Sequence, residues 1–291
     1  MKLLVGSLGK ILALFVSILP GRARMFLGAA IGFLWFDVLR IRRNVAIENV
    51  RLAYPEKSQK EVVSIARQSL WGMGRTIVEY GLISFFLSKW GPRDVTFENE
   101  HFMKDALAEG KGVLMLTLHL GNGDMASAYL SHAGYKMNLI SKEFTTKWLN
   151  ELWFGMRERI GTKFIPARRS SFDILRALKK GEIVIFVLDQ FMGPPLGVRT
   201  KFFGRETGTA MGLALMAERT HAPVIPTYTY RKPDGSTVVV FEKAIPYLDD
   251  GPRDQNIATM TQIYTDKIES IVRARPEQWM WIHRRWKEFR E

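Results

Sequence analysis

Hydrophobic positions fall into three regimes along the chain. Residues 1–39 are apolar in two blocks: LLVGSLGKILALFVSIL, with Lys10 near its centre and a stop at Pro20-Gly21, and MFLGAAIGFLWFDVL from Met25 to Leu39. Neither is an unbroken run of about 20 apolar residues, the length a bilayer span requires. The pattern fits one short span, helices lying in the membrane interface, or a buried core helix, and the arginine flanks favour membrane association. Arg22 and Arg24 between the blocks, and Arg40, Arg42 and Arg43 after them, suit an anionic, cytoplasmic-leaflet surface. From Asn44 to about Leu87 the spacing is helical. Ser58 followed by Glu61 reads as a capping box opening the helix that carries Val62, Ile65, Ala66 and Leu70.

After Gly91-Pro92 the period changes, and short apolar runs alternate with helical stretches. GVLMLTLHL (112–120), MNLIS (137–141) and EIVIFVLD (182–189) read as buried strands. Helices are predicted from about Thr145 to Arg159, from Ser170-Ser171 to Gly181, and from about Thr209 to Thr220. PVIPTYTYR, the turn Pro233-Asp234-Gly235 and STVVVFEKAI form a hairpin, and a last helix runs from about Asp254 to Arg275. The pattern predicts an α/β fold, a mixed central sheet flanked by helices, with an N-terminal helical membrane-associating segment. Residues 1–43 form that segment. The domain at 44–291 divides into a helical entry (44–90) and an α/β core (91–291).

Composition narrows the partners. With 291 residues, 47% hydrophobic and 24% charged, the chain is globular, and a formal charge of +13 favours an anionic partner: nucleic acid, an acidic protein or anionic lipid. The absence of cysteine excludes disulfides, thiolate nucleophiles and cysteine-based zinc sites.

The candidate chemistry centres on His119. The apolar run before it ends at Gly121 and Gly123, and Asp124 follows five positions later, where the helical stretch from Met125 begins. This places His119 at the carboxyl end of a central strand, where open α/β sheets bind ligands. A carboxylate from Asp124 on one ring nitrogen would fix the tautomer and leave the other nitrogen as a general base. The same residues fit G-x-G-x-x-A (Gly121, Gly123, Ala126), with Glu143 20 residues beyond Gly123, the arrangement of a dinucleotide-binding oxidoreductase. Against that, Asp124 would crowd the anionic pyrophosphate. No H-E-x-x-H, G-x-S-x-G or G-x-x-x-x-G-K-[ST] occurs. His101, His132, His221 and His283 lack ligand spacing, so no metal site is expected. The tail His283, Arg284, Arg285 and Lys287, interleaved with Trp281 and Trp286, has residues that can bind phosphates and stack on bases. An amphipathic surface suited to lipid headgroups is the commoner use of such a tail.

Five blocks together resemble the lysophospholipid acyltransferase superfamily, and most closely the bacterial lipid A late acyltransferases (lauroyl and myristoyl transferases). They are RRNVAIENVRLAYPEKSQKE, the H-x4-[DE] block HLGNGD, LDQFMGPPLGVRTKFFGRETGT, PVIPTYTYRKPDG and the ending WMWIHRRWK. Asp124 stands where the lipid A enzymes commonly carry Glu. The resemblance implies a glycerolipid acyltransferase-like fold and transfer of a fatty acyl chain from an acyl carrier protein, or a coenzyme A thioester, to a hydroxyl of a lipid A precursor. Other acceptors stay open: a lysophospholipid, or another glycolipid or aminolipid. It further implies His119 and Asp124 as the catalytic pair and Arg157 as oxyanion donor, with Arg159 its near alternative. Asn122, Arg159, Asp189, Arg284 and Arg285 are the candidate substrate contacts. No cofactor, no metal and no nucleic acid are expected. The expected partners are an acyl carrier protein and an anionic lipid acceptor, and the expected location is the cytoplasmic face of the inner membrane.

Overall fold

The computed structural model describes residues 14–16, 18–86, 95–168 and 170–290. Most of the first apolar block lies outside them. Among the described residues, α1 (Gly21–Phe33), continued by a π-helical turn at Leu34–Leu39, α2 (Arg43–Ala53) and the long α3 (Gln59–Phe86) precede the sheet. Among the described residues no helix is long and apolar enough to cross a membrane.

α1 and α3 cross at the closest range their backbones permit. A Cβ on Gly32 would lie 2.3 Å from the Trp71 Cα, and one on Gly74 2.3 Å from the Gly28 carbonyl oxygen. Small residues four apart on α1 thus form the contact, as in close-packed helix pairs. At the start of α3 the capping box closes as expected. The Ser58 N–H donates to Glu61 Oε2 at 2.9 Å, and the Glu61 N–H donates to Ser58 Oγ at 3.4 Å.

The rest of the chain builds a seven-stranded sheet in the order β1-β9-β8-β2-β5-β3-β4. Its strands are β1 (Val95–Glu98), β2 (Val113–Thr117), β3 (Met137–Ser141), β4 (Thr162–Pro166), β5 (Ile183–Val187), β8 (Val224–Arg231) and β9 (Thr237–Phe241). β8, β2, β5, β3 and β4 run parallel, β9 pairs antiparallel with β8, and β1 runs with β9, so the sheet is mixed. Crossovers use α4 (His101–Ala108), α5 (Gly123–His132), α6 (Lys147–Arg159), α7 (Ser171–Lys179) and α8 (Gly212–Thr220), and α9 (Arg253–Ala274) packs last. β2 and β5 are buried over nearly their whole length, which explains their continuous apolar runs.

Several elements fall outside the sequence expectation, the short helix α4 among them. β1 and β4 are four and five residues long, with partly polar faces, and give little period to detect. An antiparallel hairpin, β6 (Gly197–Phe202) and β7 (Arg205–Ala210), occupies the stretch ahead of α8. The helix predicted from Thr209 therefore begins at Gly212. Thr200, Thr207 and Thr209 put hydroxyls, not aliphatic groups, on the buried face of this hairpin, which erases its hydrophobic alternation.

Candidate active site

The register of β2 on β5 brings two side chains together. Thr117 pairs with Val187, and the Leu188 N–H donates to the Thr117 carbonyl at 3.0 Å, so His119 and Asp189, each two residues beyond the paired ends, emerge side by side. Asp189 Oδ2 accepts the His119 backbone N–H at 2.9 Å, and Oδ1 lies 2.8 Å from His119 Nδ1. Trp279 Nε1 donates to the same carboxylate at 2.7 Å, and the Met280 N–H donates to the His119 carbonyl at 3.1 Å. Burial alone would raise the Asp189 pKa; the imidazole and the three N–H groups outweigh it and hold the pKa down to about 2. On His119, burial opposes the proton, but the Asp189 carboxylate prevails, Asp124 adds to it, and the pKa stands above the usual imidazole range.

A ring nitrogen facing an ionised carboxylate carries the hydrogen, so Nδ1 is the donor and Nε2 the free lone pair. The Asp189 side chain is 1% exposed and that of His119 39%, which leaves the Nε2 side open to a substrate.

Asp124 does not reach His119 as the spacing suggested. It sits in the first turn of α5, where its Oδ1 accepts Arg157 Nε at 2.6 Å and its Oδ2 accepts the hydroxyl of Tyr80. Burial, and then the Asp124 charge, push the Tyr80 pKa far up, so this hydroxyl remains a donor. Arg157 also donates Nη1 to the Trp153 carbonyl at 3.0 Å and lies 4.2 Å above the Trp153 ring. The guanidinium thus links Asp124, the Trp153 carbonyl and, by a further hydrogen bond, the Tyr80 side chain.

The loop between His119 and α5 is clamped from three elements. Asn122 Oδ1 accepts the Met125 N–H at 3.1 Å and caps α5, while its Nδ2 donates to Glu79 Oε2 at 2.6 Å. Arg231 holds both oxygens of Glu79, with Nε to Oε1 at 2.8 Å and Nη2 to Oε2 at 2.6 Å. Thr229 Oγ1 donates to the Leu120 carbonyl at 3.0 Å. Gly121 has φ +62°, and a Cβ there would lie 2.7 Å from the Thr229 carbonyl oxygen. That glycine serves close approach to β8, not the cradling of a phosphate.

The expected substrate contacts divide. Asn122 and Asp189 are buried and fully engaged in holding the loop and the imidazole, so they are scaffold groups. Arg285 is 0% exposed; its guanidinium donates to the carbonyls of Gln190 (3.1 Å) and Gly208 (2.5 Å) and to Thr209 Oγ1 (2.6 Å). Burial pulls its pKa down to about 10, and it pins the tail to the β6–β7 hairpin without facing a headgroup. Arg159 and Arg284 are exposed. His283 Nε2 accepts the Phe191 N–H at 3.2 Å, and burial lowers its pKa to about 4, so it is a neutral structural imidazole. Among the described residues no cluster of three or more potential metal ligands occurs.

Sequence reasoning missed Tyr80, Glu79, Arg231 and Trp279 around the site and misassigned Asp189. Asp189 had a signal: GVLMLTLH and EIVIFVLD superpose residue for residue, which predicts adjacent His119 and Asp189 once the two strands are paired parallel. The other four arrive from elements far away in the chain and carry no local pattern.

An imidazole held by a carboxylate and open on its second nitrogen has the arrangement of a general base. The profile of the bacterial lipid A biosynthesis acyltransferase family matches residues 2–288. The chain belongs to that family and is an acyltransferase. It is 25% identical over 267 residues to the lipid A biosynthesis lauroyltransferase of Escherichia coli K12 (90% of this chain, 84% of the relative). It is 30% identical over 277 residues to the lipid A biosynthesis palmitoleoyltransferase of the same strain (92% and 86%). A phosphatidylinositol mannoside acyltransferase of Mycobacterium tuberculosis H37Rv is 26% identical over 184 residues (62% and 56%).

Proposed function

We propose that the enzyme moves a fatty acyl chain from an acyl carrier protein thioester, or a coenzyme A thioester, to a hydroxyl of a lipid A precursor at the cytoplasmic face of the inner membrane. The observation that carries this reading is the His119–Asp189 pair with Nε2 open. As the acceptor hydroxyl attacks the thioester carbonyl, Nε2 takes its proton. Asp189 stabilises the imidazolium; the tetrahedral intermediate then expels the thiolate, which recovers the proton from Nε2. General base catalysis of this type supplies roughly 10²–10⁴-fold. The oxyanion needs preorganised donors. Arg157 and the amides of Gly123 and Asp124 in the first turn of α5 are the groups that can provide them. Asp124 acts through Arg157 and by its field on His119. Two E. coli relatives named for lipid A acyl transfer, matched over most of their length, support the acceptor class.

The test incubates the full chain with an acyl carrier protein thioester and a lipid A precursor, in parallel with a coenzyme A thioester and with a lysophospholipid. Mass spectrometry should show an added acyl ester on the lipid A precursor. Acylation of the lysophospholipid with none of the lipid A precursor would overturn the acceptor assignment.

A further inference from the structure

Four exposed apolar side chains stand along the edge of the sheet that carries His119. β2, β5, β3 and β4 run parallel, so the chain leaves each on the same side. Leu196 follows β5, Phe144 and Trp148 follow β3, and Phe172 opens α7 after β4; they are 62%, 39%, 50% and 68% exposed. Ser141 and Pro166, the last residues of β3 and β4, are paired in register, so these segments depart level with one another.

The rim is built rather than incidental. Asn150 closes its loop, with Oδ1 accepting the Phe144 N–H at 2.6 Å and Nδ2 donating to the Phe144 carbonyl at 2.8 Å. The Phe144 ring meets Trp153 at 6.1 Å, Trp153 meets Tyr80 at 5.0 Å, and Tyr80 holds Asp124. An unbroken aromatic contact thus joins rim and active site. β8 is also parallel to β2, and the turn beyond it meets α1: a Cβ on Gly235 would lie 2.5 Å from Met25 Sδ. Phe26, next to Met25, is 77% exposed. Exposed cations accompany the rim at Lys142, Lys147, Arg168 and Arg176, against the acids Glu143 and Asp173.

We propose that this edge is a second bilayer-docking surface, in which Trp148 and Phe172 enter the interface of an anionic membrane and turn His119 toward it. Exposed aromatics among lysine and arginine are the chemistry of the membrane interface. An acidic protein partner would be met by the cations and would leave the aromatics unused. The proposal rests on the acyl transfer reading for its purpose, but the contact itself is measured without catalysis.

The full chain and its Trp148→Glu/Phe172→Glu variant, each shown folded by circular dichroism, are titrated with vesicles of phosphatidylglycerol and phosphatidylethanolamine and with vesicles of phosphatidylcholine. The variant should partition about tenfold or more weakly onto the anionic vesicles, as expected for losing two interfacial aromatics. Hydrogen exchange of the wild type at 142–148 and 170–176 should slow when those vesicles are added. Acyl transfer to acceptor embedded in vesicles should fall, and transfer to detergent-dispersed acceptor should not. Unchanged partitioning with no protection overturns the proposal, even if no acyl transfer is found. So does a variant that keeps its vesicles but loses an acidic carrier protein.

Discussion

Two carboxylates lie near His119, and they are built for different work. Asp189, at the end of β5, is surrounded by N–H groups and by an imidazole that is neutral until it accepts a proton. Its negative charge favours the imidazolium, which is why the His119 pKa stands raised. Asp124, at the start of α5, is already paired with a buried guanidinium. Its charge is cancelled at close range, and its effect on His119 is only through space. Closeness in sequence favoured Asp124; the state of charge of each partner favours Asp189.

The largest effect that can break this comparison comes from the pair itself. His119→Ala and Asp189→Asn should each lower kcat by about 10²–10⁴-fold, and the double variant should be little worse than either, because the two act as a unit. Multiplying losses in the double variant, measured as kcat on folded protein, would separate Asp189 from the base.

Next comes Asp124→Asn, which leaves Arg157 buried without a counter-ion. Breaking a buried pair costs on the order of 3–5 kcal/mol, so the melting temperature should drop on the order of 10 °C while kcat falls less than for Asp189→Asn. Asp124→Glu retains the charge and should recover more of both. Calorimetry beside kinetics decides; a loss of turnover at Asp124→Asn equal to that at Asp189→Asn, with unchanged melting, would reverse the assignment.

The pH profile sharpens the same contrast. With neutral His119 as the proposed base and its pKa raised by Asp189, kcat/KM should rise with pH and level off only above about pH 6.5. Asp189→Asn should move the limb of the residual activity to lower pH. The stability sign is opposite: the raised pKa stabilises the fold fully below the unfolded imidazole pKa, and this contribution fades as pH climbs through the folded value. The smallest change expected is Tyr80→Phe, which removes one donor from the Asp124 carboxylate. It should cost about 1 kcal/mol in chemical denaturation and only a few-fold in turnover.

Much of this architecture was legible because buried parallel strands write themselves as unbroken apolar runs. MNLIS forms β3 to the residue, and the capping box at Ser58 and the hairpin through Asp234 form where their patterns stand. The mixed, helix-flanked sheet followed from the alternation of runs, and the family from motifs spread over the whole chain. The edge strands β1 and β4 were not legible, nor was the threonine-lined hairpin β6–β7, since a buried hydroxyl looks like a surface residue until its partner is known. In the site, His119 was read correctly as ending a central strand. Its partner was not, because strand register is a relation between distant segments. Arg285 misled for a similar reason: in a tail rich in cations, nothing local distinguishes a guanidinium bound for the interior from one bound for solvent.

The tail has a consequence for how the protein comes into being. Trp279 completes the hydrogen bonding of Asp189, and the two are separated by 90 positions. At ~5–20 residues per second of translation, a ribosome needs roughly 5 to 18 s to pass from one codon to the other. Throughout that interval the nascent chain holds His119 and Asp189 without the indole that donates to the carboxylate. A chain that has not yet reached Trp279 therefore lacks one of the three N–H donors that hold the Asp189 carboxylate.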